Sequence, residues 1–219
     1  MTPLYDCSDA DKRARGLGAA RRVLRNDQLV VLPTDTVYGI GADAFSSVAV
    51  AALLAAKGRG RDMPVPVLVG ARTTLGGIAV VNAVADAFAD AFWPGGLTLI
   101  CREQPSLKWD LGDTAGTVAV RMPSHDVALD LLRETGPMAV SSANVSGRPA
   151  ARTAAEARDQ LGDAVAVYLE AGPTSADVPS TIVDVTGDAP RVLRAGAILL
   201  EQLREVVPET RGSGEGDEA

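Results

Sequence analysis

Short β-branched runs alternate along this chain with alanine-rich stretches of helical period, the pattern of helices covering a largely parallel or mixed sheet. The fold class is therefore α/β. Asp9 to Arg25 reads as the first helix, capped by Ser8 or Asp9, and Gln28 to Leu32 as a strand stopped by Pro33. The next segment, Thr34 to Ala44, reads as a loop. Ser46 then caps a helix through about Ala56, in which Val50, Leu53, Leu54 and Lys57 recur at helical spacing and Gly58 supplies the stop. Pro66 to Val69 is the next apolar strand. Val81, Ala85, Phe88 and Phe92 are spaced four, three and four apart, which puts them on one helical stripe facing the core.

Further strands are expected at Leu97 to Cys101, Thr117 to Val120, Met138 to Ser141, Val165 to Leu169, Thr181 to Val185 and Arg191 to Leu193. Helices from His125 to Glu134 and from Thr153 to Leu161 interrupt them, each starting beside a Ser, Thr or Pro signal. From Pro208 the chain reads PETRGSGEGDEA, with nothing to bury, so residues 1–207 are expected to form one domain and 208–219 a disordered acidic tail.

Composition narrows the choice of function. The chain has 219 residues, 47% of them hydrophobic and 22% charged, which excludes disorder for its bulk and suits a single larger domain. No apolar run reaches the roughly 18 residues needed to cross a bilayer, and the N-terminal stretch carries acids and a proline where a signal peptide needs an apolar core. A cytoplasmic location without membrane contact is expected. Cys7 and Cys101 form no C-x-x-C, so neither a disulfide framework nor a thiolate metal site is suggested. The net charge of −7 and the 4% aromatic content both count against a surface built for nucleic acid.

Several common chemistries are missing. There is neither a G-x-x-x-x-G-K-S/T loop nor a G-x-G-x-x-G between a strand and a helix. The single histidine, His125, sits at a helix start and no G-x-S-x-G elbow accompanies it, so a Ser-His-Asp hydrolase is poorly supported. The carboxylates form no metal cage, and a metal would arrive as magnesium bound to the phosphates of a nucleotide.

Four polar segments remain where an α/β sheet tends to bind ligands, just beyond strand ends: P-T-D-T-V-Y-G from Pro33, K-G-R from Lys57, S-S-A-N from Ser141 and V-P-S-T from Val178. If K-G-R is extended, Lys57 and Arg59 face the same way and converge on one anion. A basic helix end closed by glycine explains the same residues. Ser142 and Asn144 suit a phosphate or a ribose, or simply a polar turn, and Asx and ST turns account equally for P-T-D-T. Arg121 and Arg194 follow apolar strands and are either ligand contacts or solvated strand ends.

Taken in order, PTDTVYGIGADA, AAKGRGRDMP, FWPGGLTLI, TVAVRMPSH, SSANVSGRP, PSTIVDV and VLRAGAI resemble the YrdC family of threonylcarbamoyl-AMP synthases, over about residues 15 to 205. The resemblance implies an open, twisted mixed sheet flanked by helices. It also implies an enzyme that condenses L-threonine, bicarbonate and ATP, with Mg2+ on the nucleotide, into threonylcarbamoyl-AMP and pyrophosphate. The product would pass to a tRNA threonylcarbamoyl transferase machinery, with weak or no direct tRNA binding by this chain. By similarity, Lys57, Arg59, Ser142 and Asn144 surround ATP, with Lys57 and Arg59 the catalytic cations, and Thr117 and Arg194 also contact the nucleotide. Arg121 would clamp the threonine carboxylate, with Thr36, Val140 and Ser180 completing that pocket.

Three departures stand out. Many relatives read K-x-R-P-x-x-x-P-L with a histidine soon after, and this chain has Gly60, Met63 and Leu68 at positions within that stretch. Ser141 replaces a proline, and Ala150 replaces a serine. The loop at residues 171–180 is expected to close over substrate. Two other functions compete: an RNA-binding module of the same fold without catalysis, which a net charge of −7 disfavours, and a carbamoyl-adenylate enzyme using carbamoyl phosphate, whose relatives need zinc-finger segments that two cysteines cannot supply.

Overall fold

The structure, a computed structural model, describes residues 2–174 and 178–214. Its strands are β1 (Leu4–Asp6), β2 (Val30–Leu32), β3 (Gly39–Asp43), β4 (Val67–Leu68), β5 (Ala79–Val80), β6 (Leu97–Glu103), β7 (Thr117–Arg121), β8 (Met138–Ser142), β9 (Val167–Glu170), β10 (Thr181–Asp184) and β11 (Arg191–Arg194). Its α-helices are α1 (Ala10–Leu24), α2 (Ser47–Lys57), α3 (Leu75–Ile78), α4 (Ala83–Phe92), α5 (Asp126–Thr135), α6 (Ala154–Leu161) and α7 (Leu200–Val206). The caps fall where the side chains demand them: Asp9 accepts from the Lys12 amide, Ser46 from Ala49, and Thr153 from Glu156. His125 caps α5 through Nδ1, which accepts from the Val127 amide.

All the strands join one mixed sheet, in the order β1-β9-β2-β3-β8-β4-β7-β6-β10-β11, with β5 pairing to β6. Neighbours run parallel in β1/β9, β2/β9, β4/β7 and β6/β10, and antiparallel elsewhere. Alternation along each strand divides the core between two faces. Val30 and Leu32 join Leu17, Ala20 and Leu24 of α1 and Leu131 of α5 on one face. Val31, Ile40 and Leu99 join Leu53 of α2, Phe88 of α4 and Leu203 of α7 on the other.

The first helix layer covers only part of its face. It ends at β4 and β8, and beyond it the neighbouring strands present Arg121, Thr98 and Ile182 in place of a packed core. That uncovered stretch becomes a cleft.

Two expectations change. The segment expected as a loop after Pro33 contains β3, which pairs antiparallel with both β2 and β8. Its glycines are close-approach positions: a Cβ at Gly39 would stand 2.6 Å from Val140 Cγ1, and one at Gly41 2.6 Å from Met138 Cε. The fold also runs past residue 207. Thr210 is 1% exposed and its hydroxyl donates to the Val207 carbonyl, while Arg211 bridges Arg191 at the sheet edge. Of the expected tail, residues 215–219 lie outside the described residues.

Candidate active site

The uncovered sheet face holds a cleft of about 340 Å³ at the point where the ends of β6, β7, β8 and β11 meet the chain entering β3 and β10. Ligand sites in open sheets favour such places, because strand ends expose backbone and polar side chains together. Thr36, Arg59, Arg121, Val140, Ser142, Ser180 and Arg194 all line it. Lys57, Asn144 and Thr117, expected there from the sequence, do not.

Arg121 ends β7 and is 6% exposed. Its Nη2 donates to Asp35 Oδ1 at 2.6 Å, its Nη1 to Thr36 Oγ1 at 2.8 Å and its Nε to the Gly95 carbonyl at 2.9 Å. Asp35 Oδ1 also accepts from the Ser124 amide. Burial lowers the guanidinium's pKa, and the Asp35 charge works in the opposite sense. A fork fixed at three points still has two N–H groups to offer, which suits a carboxylate held in one orientation.

The other cations of the cleft are held differently. Arg194 donates from Nε and Nη2 to the Ser180 carbonyl, at 3.1 and 2.8 Å, and from Nη2 to Ser180 Oγ at 3.0 Å. Desolvation lowers its pKa, and the Arg121 charge adds to the effect. Among the described residues Arg59 reaches only Ser141 Oγ, at 3.5 Å, and its buried Nε has no partner. Among the described residues no carboxylate forms an ion pair with Arg59 or Arg194, and no Asp or Glu lines the cleft. A strongly positive pocket on a chain of net charge −7 points to an anionic ligand.

The K-G-R segment is not extended, which corrects the expectation that Lys57 and Arg59 converge. Gly58 closes α2 in the left-handed conformation, with φ at 61°, and turns the chain so that Lys57 faces inward and Arg59 faces the cleft. Lys57 is 0% exposed, and its Nζ donates to the carbonyls of Ser142 at 2.5 Å and Asn144 at 2.8 Å. Burial pushes its pKa down to about 8, with the Arg59 charge adding. Asn144 is buried as well, donating from Nδ2 to the carbonyls of Val145 and Arg148. Thr117 begins β7, at the opposite end from Arg121, and its hydroxyl donates to the Thr114 carbonyl.

The sequence did not single out Thr34 or Thr98. Thr34 Oγ1 lies 3.2 Å from Thr36 Oγ1 and donates to the Val37 carbonyl, fixing the entry to β3. Thr98 Oγ1 lies 2.8 Å from Ser180 Oγ. Thr34 belongs to the P-T-D-T segment and was within reach, whereas Thr98 sits in an apolar strand whose pattern says nothing of what faces it. Of the departures, Leu68, Ser141 and Ala150 line the cleft, and Met63 is 42% exposed outside it. Within the loop expected to close over substrate, residues 175–177 lie outside the described residues.

The donor set does not fit a resident metal. Among the described residues no three His, Cys, Asp or Glu side chains cluster, and Asp35 is committed to Arg121. No described helix is long and apolar enough to cross a membrane.

Comparison with known proteins agrees with the geometry. The Sua5/YciO/YrdC family model, described as telomere recombination, matches residues 22–196. A Mycobacterium tuberculosis protein provisionally named threonylcarbamoyl-AMP synthase is 58% identical over 210 residues, 94% of this chain and 96% of its own length. The threonylcarbamoyl-AMP synthase of Bacillus subtilis is 38% identical over 87% of this chain, and this chain spans 56% of that longer protein. The crystal structure of Pyrococcus abyssi Sua5 complexed with L-threonine superposes with a TM-score of 0.88 at 32% identity, covering 96% of this chain and 62% of that one. The chain belongs to the Sua5/YciO/YrdC family.

Proposed function

We propose that this protein is an L-threonylcarbamoyladenylate synthase, joining L-threonine, bicarbonate and ATP with release of pyrophosphate, for threonylcarbamoyladenosine modification of tRNA. The observation that carries the reading is one cleft in which a carboxylate-paired arginine, Arg121, stands near two arginines, Arg59 and Arg194, that have no acidic partner among the described residues. The names of relatives at 58% and 38% identity support it, as does the L-threonine bound to the Pyrococcus protein.

Arg121 takes the threonine carboxylate with its two remaining N–H groups, and Thr36, Val140 and Ser180 border the rest of the amino acid. The ammonium group of threonine and bicarbonate give a carbamate, water and a proton. A carbamate oxygen then attacks the α-phosphorus of ATP, forming one P–O bond as the bond to pyrophosphate breaks. Arg59 and Arg194 neutralise phosphate charge as it moves to the leaving group, and the Ser142 hydroxyl orients the nucleotide. Magnesium enters with ATP as part of the substrate. Catalysis is by position and charge, with no covalent enzyme intermediate. The product passes to a separate transferase machinery in the cytoplasm.

Purified protein supplied with ATP and magnesium should release pyrophosphate only when L-threonine and bicarbonate are both present. Release that persists without bicarbonate would mean ordinary amino-acid adenylation instead. No release under any of these conditions would defeat the reading.

A further inference from the structure

We propose that Lys57 is a positioning residue that holds the Ser142–Asn144 turn from beneath and serves ATP only through it. The inference rests on the ATP-dependent reading above and assigns to a buried cation a task different from phosphate contact.

The geometry is specific. Lys57 occupies the last turn of α2, is 0% exposed and does not line the cleft. Its Nζ donates to the Ser142 and Asn144 carbonyls, at 2.5 and 2.8 Å, and lies 3.5 Å from the Ser142 hydroxyl oxygen, while its own carbonyl accepts from the Ser146 amide at 3.0 Å. The same turn is held on its other side by the Ala143 amide, which donates to the Tyr38 carbonyl at 2.7 Å. Lys57 therefore fastens both ends of a turn whose first residue, Ser142, lines the cleft.

Burying an ammonium group is costly, and here carbonyl dipoles replace its water, with no carboxylate partner among the described residues. A lysine recruited for phosphate would point its flexible stem into the cleft as a mobile charge, as Lys does at phosphate sites. This one is stretched between two backbone oxygens 85 and 87 residues away in sequence. Those bonds set where β8 ends and therefore where the Ser142 hydroxyl stands.

Three measurements test the assignment. In a double-mutant cycle, K57M should lower kcat/KM for ATP on the order of 100-fold, the scale of a small misplacement, and leave the threonine KM within about threefold. The K57M/S142A double variant should be no worse than K57M to within about threefold, because one residue acts through the other. Multiplying losses would overturn the proposal. K57R, which keeps the charge but cannot fit the buried slot, should be as impaired as K57M, and rescue by arginine would show that charge near phosphate is what matters.

Amide exchange over residues 141–148 should speed up roughly tenfold or more in ligand-free K57M and K57R. Unchanged exchange sinks the proposal whatever the activity does, so its failure is separable from failure of the synthase reading, which the unaltered protein tests alone. If neither variant folds, ATP affinity of the unaltered protein from pH 7.5 to 9.5 decides. The amine's pKa is about 8, and Arg59 is the charge acting on it. A neutral amine still has two N–H bonds for two carbonyls, so affinity should stay flat through this range. A loss of affinity centred near pH 8 would make Lys57 a direct phosphate contact.

Discussion

Arg121 and Arg59 stand in one cleft and are held in opposite ways. Arg121 is buried, tied at Nε, Nη1 and Nη2, and balanced by the Asp35 carboxylate. Among the described residues Arg59 has one long contact to a hydroxyl, a buried Nε with no partner and no balancing charge. A balanced, immobilised cation offers geometry and little net attraction, which suits recognition of a small zwitterion. An unbalanced one offers field, which suits the several negative charges of a nucleotide. The two halves of the cleft thus divide selection from charge stabilisation.

The largest test of that division is Arg59→Ala. Removing an uncompensated cation from the reacting phosphates should lower kcat for pyrophosphate release by 10²- to 10³-fold, about 3 kcal/mol, with the circular dichroism spectrum unchanged. A loss below threefold would place the phosphates elsewhere.

Arg121→Ala should break the other half. The threonine KM is expected to rise on the order of 100-fold with the ATP KM within about threefold, since a hydrogen-bonded charge pair is lost on the amino-acid side alone. The variant should also melt at a lower temperature, and adding Asp35→Ala should recover part of the loss, because the stranded carboxylate goes with it. Equal effects on both substrates would erase the distinction between the halves.

Ionic strength sharpens the comparison further. Raising salt from about 0.05 to 0.5 M should weaken ATP binding by calorimetry roughly tenfold and threonine binding less than threefold, because screening acts on the unbalanced cations more than on a tied ion pair. The smallest effect is expected at Thr117→Ala, with the ATP KM moving less than about twofold, since its hydroxyl is occupied by the Thr114 carbonyl. A tenfold change there would extend the nucleotide site along β7.

Much of this was legible in the residues. Helical spacing and caps located α1, α2, α5 and α6, because Asp9, Ser46, His125 and Thr153 satisfy the first amides of their own helices. The short strand β1 and helix α7 escaped, since three and seven residues carry too little pattern. β3 was hidden for another reason: its glycines read as loop signals, and only the approach of Val140 and Met138 explains them.

What the chain determined by itself were the properties set by neighbours in sequence: element type, the two alternating faces of each strand, and the order of the polar segments from P-T-D-T to V-L-R that marks the family. Tertiary structure decided where each charge is directed. Lys57 and Arg59 differ by one intervening glycine, yet one is stretched toward carbonyls more than 80 residues away and the other opens onto the cleft. Asp35 balances Arg121 across 86 residues. Local spacing fixes which face a side chain leaves from, but the partner that meets it there belongs to a distant strand or turn, and only the packed sheet brings the two together.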